Sequence, residues 1–321
     1  MFHRVLHLLA AALLAAAGAG AAAQTYPDRP VTLVVPFAAG SGTDAVARVV
    51  AQKLGERLKQ PVVIDNRAGA NAQIGVEHAA KAAPDGYTLL MTTATSHSVN
   101  PALYKSLRYH PINDFTPIGR TGILPFVVTV RPSLPVKTIR ELIEYARANP
   151  GKVSFATSNS TSMLASEALA KMAQAEMISV TYKSAPQALT DMLAGHLDMY
   201  VVDFGVGLPS IRSGKLRPLA MTNAQRSPLL PDVPVLADTL PGFDLNPWNG
   251  IFGPAGLPKP IVDKLAAELY AVLADSDTHA RFAAVGFDVS PTRTSEEFRK
   301  YVADQLASYA QMARIARVQP Q

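Results

Sequence analysis

Residues 31 to 54, VTLVVPFAAGSGTDAVARVVAQKL, constrain the fold more tightly than any other stretch of the chain. Val31 to Val35 is a continuous apolar run, as expected of a strand covered on both faces. Val46, Val49, Val50, Leu54 and Leu58 then recur at helical spacing. Pro61 opens a second strand, Val62 to Ile64. Strand, helix and strand in so short a span form a βαβ unit, and the first two strands are predicted to be parallel.

Strand and helix patterns go on alternating. Pro84-Asp85-Gly86 is a turn before a strand at Tyr87 to Met91. Thr138-x-x-Glu141 is a capping box opening a helix that stops at Asn149-Pro150-Gly151. Strands are expected at Val153 to Ala156, Ile178 to Tyr182 and Leu197 to Val202, with a helix over Ser162 to Ala175 and a helix stop at Gly195. A Pro-rich connection, Pro228 to Pro247, leads to two C-terminal helices, the second opened by Thr294-x-x-Glu297. Phe37-Ala38-x-x-x-x-Thr43 is echoed by Phe155-Ala156-x-x-x-x-Thr161, so two similar α/β units are expected to present polar loops at corresponding edges. In open α/β sheets, ligands sit outside the carboxyl ends of the strands.

The small residues after the first strand suit such a site. Gly40 and Gly42 allow close backbone approach and unusual dihedrals. The helix that follows offers unpaired N–H groups and a partial positive charge, which bind carboxylate or phosphate without Lys or Arg. Phe37, Ala39, Gly40, Ser41, Gly42 and Thr43 are therefore candidate ligand residues. Asp44 is one too, although it reads more readily as a helix-start residue. The second loop contributes Ser158, Asn159, Thr161 and Ser162, all hydroxyl or amide. Thr93, Ser96 and His97 follow the Tyr87 to Met91 strand towards the same edge, and Tyr182 ends another strand there. Asp203 either lies at the cleft rim or caps the segment beginning near Val206; the rim is preferred. Trp248, the one Trp, is expected to pack beneath the Pro-rich connection.

The remaining signals restrict the class. An Arg, an apolar run mostly of Ala and an Ala21-Ala22-Ala23 cleavage site read as a secretory signal peptide over residues 1–23. The chain has no Cys, which fits an exported bacterial protein built on a large core, and the periplasm is the expected location. The formal charge is +5 with Lys and Arg dispersed, so no nucleic-acid partner is expected. His78, His97, His110, His196 and His279 have no metal-ligand spacing, and Ser41 sits in no G-x-S-x-G elbow. No catalytic residue, metal or other cofactor is assigned. A periplasmic hydrolase remains the alternative of another class.

Several stretches carry a resemblance. Tyr26-Pro27-x-Arg29-Pro30, Pro36-Phe37-x-x-Gly40-x-x-x-Asp44-x-x-Ala47-Arg48, Asn66-Arg67-x-Gly69-Ala70, Pro84-Asp85-Gly86-Tyr87-Thr88-Leu89-Leu90 and Asn100-Pro101-x-Leu103-Tyr104 occur in order. Tyr182-Lys183, Gly214-Lys215-Leu216-Arg217 and Trp248-x-Gly250 follow. Over essentially the whole mature chain, this resembles the Bug family of periplasmic receptors, the solute-binding (TctC-like) component of tripartite tricarboxylate transporters. The resemblance implies a two-domain Venus-flytrap α/β fold with a ligand cleft between domains. Residues 24–124 and 236–321 would form domain 1, and residues 125–235 domain 2. It also implies a monomer without enzymatic activity that holds a small organic carboxylate by loop amides, hydroxyls and water. Transporter subunits in the membrane would be its partners, with a sensor protein as the alternative. This chain departs from the family's pattern in the cleft: Ala39 and Ser41 replace the usual Pro and Gly, residues 68–73 read Ala-Gly-Ala-Asn-Ala-Gln, and Val202 stands where an acid is usual, with Asp203 next.

Overall fold

The computed structural model describes residues 26–318 and 320, so the expected signal peptide over residues 1–23 lies outside the described residues. The first part of the chain runs β1 (Val31–Val35), α1 (Gly42–Leu58), β2 (Val62–Asn66), α2 (Gln73–Ala80), β3 (Thr88–Thr93), a π-helical turn (Thr95–Val99), α3 (Asn100–Leu103) and β4 (Phe115–Ile123). The middle part is β5 (Phe126–Val130), α4 (Ile139–Ala148), β6 (Ser154–Thr157), α5 (Ser160–Met172), β7 (Ile178–Thr181), α6 (Ala185–Leu193), β8 (Met199–Asp203), α7 (Phe204–Arg212) and β9 (Arg217–Met221). After a 3-10 turn (Leu236–Asp238) come β10 (Trp248–Pro254), α8 (Lys259–Ala274), α9 (Ser276–Ala284), β11 (Asp288–Val289) and α10 (Ser295–Ile315).

These strands form two sheets. One has the order β11-β4-β10-β3-β1-β2, the other β7-β6-β8-β5-β9. β1 pairs in parallel with β2 and β3, as β6 does with β7 and β8. β10 lies antiparallel to β3 and β4, as β5 does to β8 and β9. Apart from β11, the two sheets are therefore the same arrangement, with β1, β2, β3, β10 and β4 answering to β6, β7, β8, β5 and β9. The Phe37 and Phe155 echo falls at equivalent β1–α1 and β6–α5 junctions. It is aligned at the helix starts, where Ser41 and Asn159 are the N-caps, while Phe37 lies beyond its strand and Phe155 within its own.

The first sheet draws strands from both ends of the described chain, and the second uses five consecutive strands between them. The two crossings run side by side: the Leu124 N–H donates to the Pro247 carbonyl at 3.1 Å, and Leu245 N–H to the Thr222 carbonyl at 3.0 Å. α10 packs against β4 and the π-helical turn, and also against α5, so it bridges the two sheets.

Local chemistry accounts for most helix starts. Thr138 caps α4 by accepting from Glu141 N–H, but the Glu141 carboxylate turns to Lys137 N–H at 2.7 Å instead of closing the expected box. The C-terminal part holds three helices, not two: Asp275 caps α9 by accepting from Thr278 N–H. β4 and β10 carry glycines that broke their apolar runs in the sequence. In β10, Gly250 is required by packing, because a Cβ there would lie 2.2 Å from Phe298 Cζ of α10.

Trp248 is fully buried in β10, edge-on to Phe298 with ring centroids 5.6 Å apart, and its Nε1 donates to Ser98 Oγ at 3.3 Å. Trp248→Ala should leave a cavity in this aromatic cluster and destabilise the protein by about 3–5 kcal/mol. Urea denaturation followed by circular dichroism measures this, and a loss below about 1 kcal/mol would contradict so central a packing role.

Candidate ligand site between the two sheets

A cavity of about 670 Å³ lies between the sheets. Its lining comes from the strand-to-helix junctions of both: Pro36 to Ala38 and Ser41 to Thr43 after β1, Ala68 to Ala72 after β2, and Thr93 to Thr95 after β3. From the second sheet come Ser158, Asn159 and Thr161 after β6, Tyr182 to Ala185 after β7, and Asp203 at the end of β8. The crossing segments add Leu124, Phe126, Pro247 and Asn249. Five α-helices thus begin at the cavity wall, where N–H groups without intrahelical partners and positive helix ends collect.

The helix starts are not equivalent. Ser41 Oγ accepts from Asp44 N–H at 3.2 Å, Asn159 and Ser162 complete a reciprocal capping box, and Asp203 Oδ1 accepts from Val206 N–H at 3.1 Å. The starts of α2 and α6 have no side-chain cap, at Ala72 and Ser184 respectively. Ahead of α2, Ala70, Asn71 and Ala72 hold φ of 45°, 52° and 74° in succession. Three non-glycine residues in the left-handed region are costly, and such strain gathers at functional sites. The Asn71 carbonyl is held by Asn100 Nδ2 at 2.8 Å, and Asn71 Nδ2 donates to Tyr104 Oη at 2.6 Å.

Of the candidates read from sequence, Phe37, Ser41, Gly42, Thr43, Thr93, Ser158, Asn159, Thr161, Tyr182 and Asp203 line the cavity. The other six stand away from it. Ala39 and Gly40 face solvent in the β1–α1 loop. Asp44 is buried and ties that loop down, accepting from Gly40 N–H and Arg48 Nε at 2.9 Å and from Asn66 Nδ2 at 3.0 Å. Burial would raise its carboxyl pKa, but the hydrogen bonds from Arg48, Gly40 and Asn66 hold it below the ordinary value. Ser162 is consumed in the α5 capping box. Ser96 bonds Thr92 Oγ1 at 2.7 Å and His97 Nδ1 at 2.8 Å. His97 is fully buried, stacked on Phe252 with ring centroids 4.4 Å apart, and burial pushes its pKa down to about 3. It is a neutral core residue, because the strand it follows is continued by a π-helical turn that rotates it into the aromatic cluster.

Gly42 has a different task from the one its sequence context suggests. A Cβ there would meet Asp203 Oδ1 at 2.1 Å and Leu124 Cδ2 at 2.7 Å, and a Cβ on Gly205 would meet Gly42 Cα at 2.4 Å. The missing side chains let the starts of α1 and α7 touch across the cleft. Gly40, by contrast, does need its freedom, with φ of 78°. Thr95 Oγ1 and Thr161 Oγ1, 2.8 Å apart, join the two sides at a second point. Tyr182 lines the cavity while its hydroxyl donates to Asp191 Oδ2 at 2.8 Å.

Sequence reasoning missed Ser184, Ala185 and Asn249; it weighed Lys183 evenly between a cleft rim and a solvated surface residue, and it placed residues 68–73 in the cleft only through the family's pattern. Among the described residues, the exposed Lys183 is the only basic side chain lining the cavity. Asn249 is buried on β10 with no partner for its Nδ2. In sequence Ser184 followed by Pro186 reads as an ordinary capped helix start, so the uncapped start of α6 was not legible. Asn249 gave no signal, because its position depends on β10 crossing between β3 and β4. Asp203 lies inside the cavity wall and not at its rim, and it also caps α7, so both expectations for it were partial. Burial pushes its carboxyl pKa up to about 6, against hydrogen bonds from Val206 and other local N–H groups.

Two sheets hinged at paired crossings, with helix starts converging on the space between them, define a two-lobed solute-binding receptor. The model of the tripartite tricarboxylate transporter family receptor matches residues 46–316, and the chain belongs to that family. BugT of Bordetella pertussis is 34% identical over 308 residues, covering 94% of each chain. Among solved structures, R. palustris Rpa4515 with adipate superposes with a TM-score of 0.88 at 32% identity, over 92% of this chain and 100% of that one. MatC from Rhodopseudomonas palustris with bound malate gives 0.83 at 30% identity, over 89% and 99%.

The Asp203 shift carries a sign that can be tested. Its folded pKa of about 6 lies above the ordinary 3.8, so the folded state binds the proton more tightly. Its contribution to stability is full below about pH 4 and is lost as pH rises to about 6, a change of up to about 3 kcal/mol. Asp203→Asn keeps the cap and removes the titration. In urea denaturation across that range, the difference in stability between variant and parent should move in the variant's favour as pH rises. A difference that stays constant would show that folding does not raise the Asp203 pKa.

Proposed function

We propose that this protein is a periplasmic receptor that closes its two lobes around a small organic carboxylate and delivers it to the membrane subunits of a tripartite tricarboxylate transporter. The observation that carries this reading is the convergence of helix starts on one cavity, with the α2 and α6 starts uncapped. Such starts hold a carboxylate by backbone N–H groups and helix dipoles without a dedicated cation. Adipate in Rpa4515 and malate in MatC support the ligand class. On this reading residues 125–235 form the inserted domain and residues 24–124 with 236–321 the other, and the cavity-lining residues, Ser158, Asn159 and Thr161 foremost on the second lobe, contact the ligand. Residues 1–23 direct export. On the same reading the protein works as a monomer without catalysis. Among the described residues no helix is long and apolar enough to cross a membrane.

The test is a thermal-shift and calorimetric screen over mono-, di- and tricarboxylates, since a ligand that binds only the folded state raises the melting temperature by mass action. At least one carboxylate should bind with a Kd in the micromolar range or below, and small-angle scattering should show compaction on binding. Gly205→Ala, which puts a methyl group 2.4 Å from Gly42 Cα, should weaken binding about tenfold or more while leaving each lobe folded. No binding across the screen, or unchanged affinity in Gly205→Ala, would contradict capture by lobe closure.

A further inference from the structure

Within the cavity wall one group is out of keeping with the rest. Among the described residues, Asp203 is the only acidic side chain in the lining, and it is 5% exposed. Its partners are local backbone N–H groups, Val206 N–H on Oδ1 chief among them, and among the described residues no Lys or Arg pairs with it. Tyr200, the nearest titratable neighbour on β8, gives its hydroxyl to the pair with Ser158 Oγ at 2.6 Å. A carboxylate offers about four acceptor sites, and a buried one left without a cation is expensive. On the first lobe Asp203 Oδ1 lies where a Gly42 side chain would begin, at the start of α1 beside Leu124, and among the described residues no side chain of that lobe donates to it.

We propose that Asp203 makes this receptor selective for organic acids that also carry a hydrogen-bond donor, an ammonium or a hydroxyl group, over those with a second carboxylate. The assignment rests on the reading of the cavity as a carboxylate site. Asp203 stands against the start of α1, which Ser41 already caps, while the starts of α2 and α6 on the same wall carry no side-chain cap and Lys183 supplies a cation. A ligand with a carboxylate towards the uncapped starts and a donor towards Asp203 satisfies both ends. A second carboxylate facing Asp203 meets a like charge in a site from which water is largely removed, where such repulsion is strongest. Uptake of the proton by Asp203 at lower pH should relax the discrimination, since burial holds the Tyr182 and Tyr200 hydroxyls on this lobe neutral and Lys183 is the other charged side chain of the wall.

The experiment is calorimetry on the mature chain near neutral pH with two matched series. These are butyrate, 4-hydroxybutyrate, 4-aminobutyrate and succinate, and the six-carbon counterparts hexanoate, 6-hydroxyhexanoate, 6-aminohexanoate and adipate. The amino or hydroxy acid of the better series should bind about tenfold or more tightly than both its methyl and its carboxylate analogues. Asp203→Asn, which still caps α7, should lose about tenfold for the amino acid and gain for the dicarboxylate. A parent that prefers the dicarboxylate, or a variant that weakens all four ligands equally, overturns the selectivity while leaving the carboxylate site standing. If no member of either series binds the parent, and the wider carboxylate screen is also negative, the carboxylate reading itself fails. Should the variant not fold, the parent's preference order alone decides.

Discussion

A helix that follows a parallel strand has to begin at that strand's carboxyl edge, and the rest of this structure depends on that directional constraint. β1, β2 and β3 deliver α1, α2 and the π-helical turn to one edge of their sheet, and β6, β7 and β8 deliver α5, α6 and α7 to the matching edge of the other. Once paired crossings fold the two edges face to face, unsatisfied N–H groups from both lobes surround a single cavity. The site is polar because of backbone direction, and this is why so few charged side chains are needed to make it one.

Closure adds a second requirement. Two polar rims meeting edge to edge must let their backbones approach without trapping unpaired groups. Gly42 and Gly205 supply the approach, Thr95 and Thr161 supply a hydroxyl pair, and α10 bridges both lobes behind them. Asp203 sits at the tightest point of this seam with its charge only locally compensated.

How much was legible follows from which interactions are local. α4 and α10 could be read because Thr138 and Thr294 act on N–H groups three residues away, and α1 because Val46, Val50, Leu54 and Leu58 recur on its buried face. β1 could be read because both faces are covered and its apolar run is unbroken, and β2, at the sheet edge, because Val62 to Ile64 follows directly on Pro61. β4 and β10 could not, since Gly119, Gly122, Gly250 and Gly253 are there to admit side chains from elsewhere: Tyr270 and Leu269 of α8, Phe287, Phe298 of α10 and Leu257. A glycine required by a distant aromatic is indistinguishable, in sequence, from one that ends a strand.

The same division holds at the site. By itself the sequence determined the loop chemistry, the repeated strand–loop–helix unit and the family, because these lie within runs of neighbouring residues. Tertiary structure alone decided that His97 turns into an aromatic core and that Asp44 serves its own loop. It also decided that Gly42 makes room for Asp203, and that Lys183, Ser184 and Asn249 reach the cavity. The physical reason is that a side chain's role in a cleft depends on what the opposite lobe brings to it. Asp203 and Gly42 are 161 positions apart in the chain and meet only because two separately folded sheets close edge to edge.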